Sequence, residues 1–242
     1  MSPSHFKPLT PKVVLGIAAH PDDLDFGASG ALAKYAAAGA AVHYLLLTDG
    51  SKGSSDRKIS SDELIKMRQE EQQAAVKVIG GVGVQFLSYP DGMLEVTMDL
   101  KRDIVKVIRT IRPDVVVTMD PSMLYDADRG FINHPDHRAA GQATLDAVFP
   151  LARDHLSFPE LCEEGYEPHK VATVLLINFN TTNYNEDITN TLDTKFAALA
   201  AHASQISDMA MVKDRFTAMS AELGAKAGCK YAECFLRVDV TS

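Results

Sequence analysis

The sequence predicts an α/β fold: a mainly parallel, Rossmann-like sheet with helices on both faces. Three observations lead there. Short apolar, β-branched runs alternate along the chain with longer amphipathic or Ala-rich stretches. The apolar runs are near-continuous, as in strands covered on both sides. Gly, Pro and Asp turn signals fall between them, and strand–helix alternation of this kind builds a parallel sheet.

Taken in order, residues 13–19 read as the first strand and 28–38 as a helix closed by Gly39. Residues 42–48 form a second strand ending in the Thr48-Asp49-Gly50 turn, followed by a Ser-rich loop over 52–61. A long helix spans 62–79, with Leu64, Met67, Ala74, Ala75 and Val78 as its apolar face and Gly80-Gly81 as its stop. Residues 84–89 are a strand, turned by Pro90-Asp91-Gly92; 100–111 are a helix ended before Pro113; 114–119 are a strand containing three consecutive valines. A loop over 121–132 leads to a helix over 135–148. Residues 151–170 are irregular, broken by Pro159, Gly165 and Pro168, and read as an insertion or lid. A strand at 171–178 and helices at 191–207 and 209–223 complete the chain, which is expected to form one domain over residues 1–242.

The formal net charge of -8 and pI near 5.4 give no electrostatic footprint for nucleic acid or an anionic membrane. A small neutral or cationic substrate fits better. Cys162, Cys229 and Cys234 are odd in number and lack CxxC spacing, as expected of reduced cytoplasmic thiols. The first twelve residues carry no apolar signal-peptide core, and no apolar run approaches the roughly 18 residues of a membrane helix. A cytoplasmic protein is expected.

Two segments concentrate chemistry. His20-Pro21-Asp22-Asp23 stands at the carboxyl end of the first strand, where open α/β sheets bind ligands. Asn133-His134-Pro135-Asp136-His137 follows the valine strand and opens a helix, with Pro135 suited to its first turn and His134 and His137 on one side of it. Together they offer His20, Asp23 and His137 as metal ligands, leaving a coordination position open as catalytic sites do. Asp22 then suits a general base. His134, oriented by Asp136, suits oxyanion stabilisation or protonation of the leaving group. Spacing alone leaves open which of the adjacent acids is ligand and which is base, and two imidazoles with one carboxylate suit ferrous iron as well as zinc.

The segment "AAHPDDLDFGASGALAKYAAAG" resembles the opening motif of the LmbE/PIG-L family of metal-dependent N-acetylglucosaminyl deacetylases, and "NHPDHRAAG" resembles its second motif. The likeness continues through "LTDGSKG", "KMRQEEQQAAVKVIG", "YPDG" and "IRPDVVVTMDP", with a weaker echo in "AALAAHASQI". The resemblance implies that His20, Asp23 and His137 bind the metal, usually zinc, that Asp22 is the base, and that His134 assists the tetrahedral intermediate with Asp136 as partner. It implies substrate contacts at Arg68 and Asp91, and at His202, which would reach its own or a neighbouring subunit's site in a homo-oligomer. The implied activity is removal of the acetyl group from an N-acetylglucosamine-type sugar. The alternatives are another amide, such as a sugar–thiol conjugate, or a sugar-binding module without turnover. Two departures stand out: Ile132 occupies a position where some relatives carry tyrosine, and Asp25 one where many carry Glu.

Gly80-Gly81-Val82-Gly83 follows a helix, so it reads as a helix stop and not a dinucleotide loop. No Gly-x-Ser-x-Gly elbow is present. Glu70 and Glu71 read as a solvated helix face.

Overall fold

The computed structural model describes residues 6–127, 130–178 and 180–241. Residues 1–5 of the N-terminal stretch and 128–129 of the 121–132 loop lie outside them. The main elements are β1 (Val13–Ala18), α1 (Asp23–Gly27), α2 (Ser29–Ala37), β2 (Ala41–Thr48), α3 (Ser61–Val78), β3 (Gly83–Tyr89), α4 (Met98–Ile111) and β4 (Val115–Met119). A small hairpin, β5 (Tyr125–Asp126) and β6 (Phe131–Ile132), precedes α5 (Pro135–Asp146) and α6 (Pro159–Glu163). The chain ends with β7 (Thr173–Ile177), β8 (Tyr184–Asp187), α7 (Leu192–Ala200), α8 (Met209–Ala227) and β9 (Ala232–Asp239).

The seven-stranded sheet has the order β3-β2-β1-β4-β7-β9-β8. Its first five strands pair in parallel, and β9 pairs antiparallel with both β7 and β8. Successive residues of β1 and β2 serve opposite faces. Val14, Ala18, Val42 and Tyr44 join α2, α3 and α7 in one core, while Leu15, Ile17, Leu45 and Leu47 join α4 and α5 in the other. This is why these strands read as unbroken apolar runs. The chain moves outward from β1 to β2 and β3, then returns to place β4 on the other side of β1. The carboxyl ends of β1 and β4 therefore flank the topological switch point.

The structure corrects four expectations. β8 and β9 were not expected. β8 has the sequence YNED, and Glu233 interrupts the apolar pattern of β9. Both strands bury a glutamate whose carboxylate is bound internally: Glu186 by Tyr35, Tyr184 and Lys34, and Glu233 by Lys195 and the N–H groups of Gly30 and Ala31. The expected helix over 191–207 stops at Ala200, and the chain turns His202 inward. On α3 the buried face is Leu64, Arg68, Gln72, Ala75 and Val76, whereas Met67, Ala74 and Val78 face outward. Its inward stripe is partly polar, and a purely apolar reading puts the helix face in the wrong phase.

The fourth correction concerns residues 151–170. Arg109 donates to the carbonyls of Leu151, Ala152, Asp154 and Ser157, and His169 Nε2 lies 2.8 Å from Pro113 O, just before β4 begins. The segment is fastened at the amino end of the sheet, opposite the switch point, and is not a lid over it.

Candidate active site

Leaving β1, the chain passes through Ala19-His20-Pro21-Asp22 and enters α1 at Asp23. Asp22 has φ 93°, a left-handed conformation uncommon outside glycine. Leaving β4, the chain reaches His134, which caps α5: its Nδ1 accepts the Asp136 N–H at 3.2 Å, with Pro135 in the first turn. Gly141 lets α5 press against the end of β4, because a Cβ there would lie 2.2 Å from Met119 O. The two motifs therefore meet across the switch point. The His20 ring centre lies 4.8 Å from that of His134 and 5.3 Å from that of His137.

Asp23 bridges the two motifs. Its Oδ1 is 3.0 Å from His137 Nε2, and its Oδ2 is 3.5 Å from His20 Nδ1. The opposite nitrogen of His20, Nε2, faces Asp91 Oδ1 at 3.1 Å and Asp136 Oδ2 at 3.2 Å. Asp136 also accepts the N–H groups of Gly92 and Leu94, and Asp91 accepts that of Lys52. Asn133 Oδ1 lies 3.2 Å from His137 Nδ1, which turns His137 Nε2 toward Asp23.

These contacts set the charges. Burial would lower the His20 pKa, but hydrogen bonds to Asp136, Asp23 and Asp91 raise it to about 12. Burial opposes the charge on Asp23, yet His137 and His20 hold its carboxyl well below the usual range. Asp22 goes the other way: burial, then the Asp23 charge, raise it to about 7 against the pull of Arg68, His202 and His20. Burial, followed by the charges of His20 and His137, lowers His134.

Imidazole nitrogens and carboxylate oxygens that face each other at 3.0–3.5 Å need a shared proton or a shared cation. Two groups among the described residues bring one ligand atom from each member within 4.8 Å of the others: His20 with His134 and His137, and His20 with Asp91 and Asp136; the expected set of His20, Asp23 and His137 is not one of them. This nitrogen and oxygen donor set fits zinc or ferrous iron. A pocket of about 160 Å³ opens beside Asp23 and His137, walled by Phe26, Met119, Met123 and Ile177.

Residues 15–148 match the PIG-L, GlcNAc-PI de-N-acetylase, family. The chain belongs to the PIG-L family. The diacetylchitobiose deacetylase of Thermococcus kodakarensis is 33% identical over 224 residues, covering 92% of this chain and 81% of the relative. The solved N,N'-diacetylchitobiose deacetylase of Pyrococcus horikoshii superposes with a TM-score of 0.86 at 28% identity, covering 95% of this chain and 84% of that one. A 4-carboxy-2-hydroxymuconate hydratase, GalB, from Pseudomonas putida superposes at 0.79 with 22% identity, covering 96% of this chain and 98% of that one; this likeness concerns the fold alone.

Within this PIG-L site, three side chains take places other than those the resemblance implies. The Asp136 carboxylate faces His20 and the 92–94 backbone; only its N–H reaches His134. Arg68 is 4% exposed, and its guanidinium donates to Gly50 O and Pro21 O, bracing the site loops. His202 is 0% exposed, with Nε2 2.9 Å from Asp25 Oδ2 of its own chain. Asp91 lies in the cluster, against His20. Sequence reasoning missed Asn133 and Gln72. Asn133 adjoins the second motif, and Gln72 lies one helical turn beyond Arg68, so spacing signalled both. Glu71, read as solvated, accepts the N–H and hydroxyl of Ser204.

Proposed function

We propose that the protein is a metal-dependent N-deacetylase acting on an N-acetylglucosamine-type amino sugar. The observation that carries this reading is the division between two adjacent aspartates. Asp23 has both oxygens turned to histidines of the two motifs, whereas Asp22 has no histidine ion pair among the described residues and lies 3.5 Å from Arg68. This division supports Asp23 as ligand and Asp22 as base. His20 through Nδ1, Asp23, and His137 through Nε2 would hold the ion, with Asp91 and Asp136 on the far nitrogen of His20 and Asn133 on that of His137 as orienting partners.

Zinc is the proposed ion, with ferrous iron suited to the same donors; when bound, it supplies Lewis-acid polarisation of the amide carbonyl and lowers the pKa of water. Asp22 takes a proton from the attacking water. His134 accepts a hydrogen bond at Nδ1, which leaves its proton on Nε2 to stabilise the oxyanion or meet the departing nitrogen. The amide C–N bond breaks, the amine leaves with a proton, and acetate and a free amino sugar result.

The test is acetate release from N-acetylglucosamine, diacetylchitobiose and N-acetylglucosaminyl-inositol by metal-stripped protein, with and without zinc or ferrous iron. Metal-dependent release is expected on at least one. Folded protein that releases acetate from none, with either ion, would overturn the reading. Asp22→Asn is expected to keep metal and lose about 10²–10⁴-fold in kcat.

A further inference from the structure

The conformation of Asp22 has an identifiable support. The peptide joining Pro21 to Asp22 is gripped at both polar ends by α3: Arg68 Nη2 donates to Pro21 O at 2.7 Å, and Gln72 Oε1 accepts the Asp22 N–H at 2.9 Å. Arg68 and Gln72 stand four residues apart, one above the other on the buried face of the helix. The Gln72 amide has only one useful orientation. Its Oε1 must accept the Asp22 N–H, which turns its Nε2 to donate at 2.7 Å to Asp25 Oδ2.

Asp25 is fixed in turn. His202 Nε2 lies 2.9 Å from the same oxygen, and Tyr44 OH donates to the other at 3.3 Å. His202 Nδ1 has no hydrogen-bond partner among the described residues, so the ring's hydrogen bond is the one Nε2 shares with Asp25. Gln72, Asp25, His202 and Tyr44 are all fully buried. In the same turn, Ser204 donates twice to Glu71, so the chain after α7 is bolted to α3 beside Gln72.

We infer that Arg68 and Gln72 are positioning residues for Asp22, with Asp25 and His202 holding Gln72 in register. The clamp keeps the Pro21–Asp22 peptide from flipping, so that the Asp22 carboxylate stays outside the ligand set that Asp23 enters. The buried histidine of the "AALAAHASQI" segment thus acts on the site through a backbone hydrogen bond. This inference rests on the reading of Asp22 as base.

The test compares Gln72→Met, which fills the space without donor or acceptor, with Asp22→Asn and the double variant. Metal content, Tm, KM and kcat are read for each on the substrate found above. Gln72→Met is expected to keep its metal and a KM within about twofold, and to lose about 10–100-fold in kcat, the range of orienting partners at metal sites. The double variant should be no slower than Asp22→Asn alone, because both changes act through one group. Should Gln72→Met not fold, His202→Leu is expected to lower kcat at unchanged metal content, and His202→Gln, which keeps an N–H for Asp25, to restore it. Wild-type kcat in metal-loaded Gln72→Met, or in His202→Leu, overturns the inference, as does a double variant whose losses multiply. Full activity in Asp22→Asn removes the base itself; an inactive Asp22→Asn beside a fully active Gln72→Met removes only the clamp.

Discussion

The two ends of the sheet treat buried polar groups in opposite ways. At the amino end, Arg109 is buried and spends its donors on backbone carbonyls of residues 151–157, at 2.8–3.1 Å. Those acceptors are neutral and tied to the chain, so the charge is satisfied permanently and the segment takes one shape. At the carboxyl end, His20, Asp23, Asp91, Asp136 and His137 face one another, ionisable group against ionisable group. Such pairs are satisfied only while protons or a cation lie between them, and they can exchange what they hold. In these two regions, polar burial closed by backbone gives architecture, and the cluster of facing ionisable side chains forms the candidate site.

The largest effect that would break this contrast is at the carboxyl end. Asp23→Ala is expected to abolish metal binding, by elemental analysis, and acetate release, while circular dichroism shows the fold retained. Loss of the fold instead would make Asp23 architectural. At the amino end, Arg109→Met leaves several carbonyls without a donor and should lower the free energy of unfolding by on the order of 3 kcal/mol in urea titration. Its kcat per folded molecule should stay at the wild-type value; a fall would show that the two ends communicate. Asn133→Ala sharpens the comparison, since it removes a neutral side chain that orients His137. Metal affinity should drop about 10–100-fold with Tm of the metal-free protein little changed. The smallest effect belongs to the surface pair Arg102–Glu160, where Arg102→Gln should leave both Tm and activity within experimental scatter.

Much of this was legible in the sequence, for reasons that differ by element. The parallel strands β1, β2 and β4 declare themselves because both of their faces are apolar. The two site motifs declare themselves because ligand-type residues stand where such strands end. The edge strand β8 and its neighbour β9 do not, because the buried Glu186 and Glu233 are paired with Lys34 and Lys195, 152 and 38 residues away in the chain. The stripe of α3 is obscured for the same reason: Arg68 and Gln72 point inward to satisfy a peptide of another segment. The neighbour of the Asp136 carboxylate could not be read from spacing, since His134 is two residues away in sequence and His20, its actual contact, is 116. Among the described residues, no helix is long and apolar enough to cross a membrane.

That separation of 116 residues has a consequence for folding and storage of the protein. Neither loop alone carries the proposed ligand set, so an unfolded chain would have to close a long loop before it could chelate an ion, at an entropic cost that grows as the logarithm of loop length. Any ion the two loops share binds the native state far more tightly than the denatured one, and by mass action adds about 2.7 kcal/mol of stability at a hundredfold excess over its Kd. The ion would then be a latch as well as a reagent, and the melting temperature a direct gauge of its occupancy.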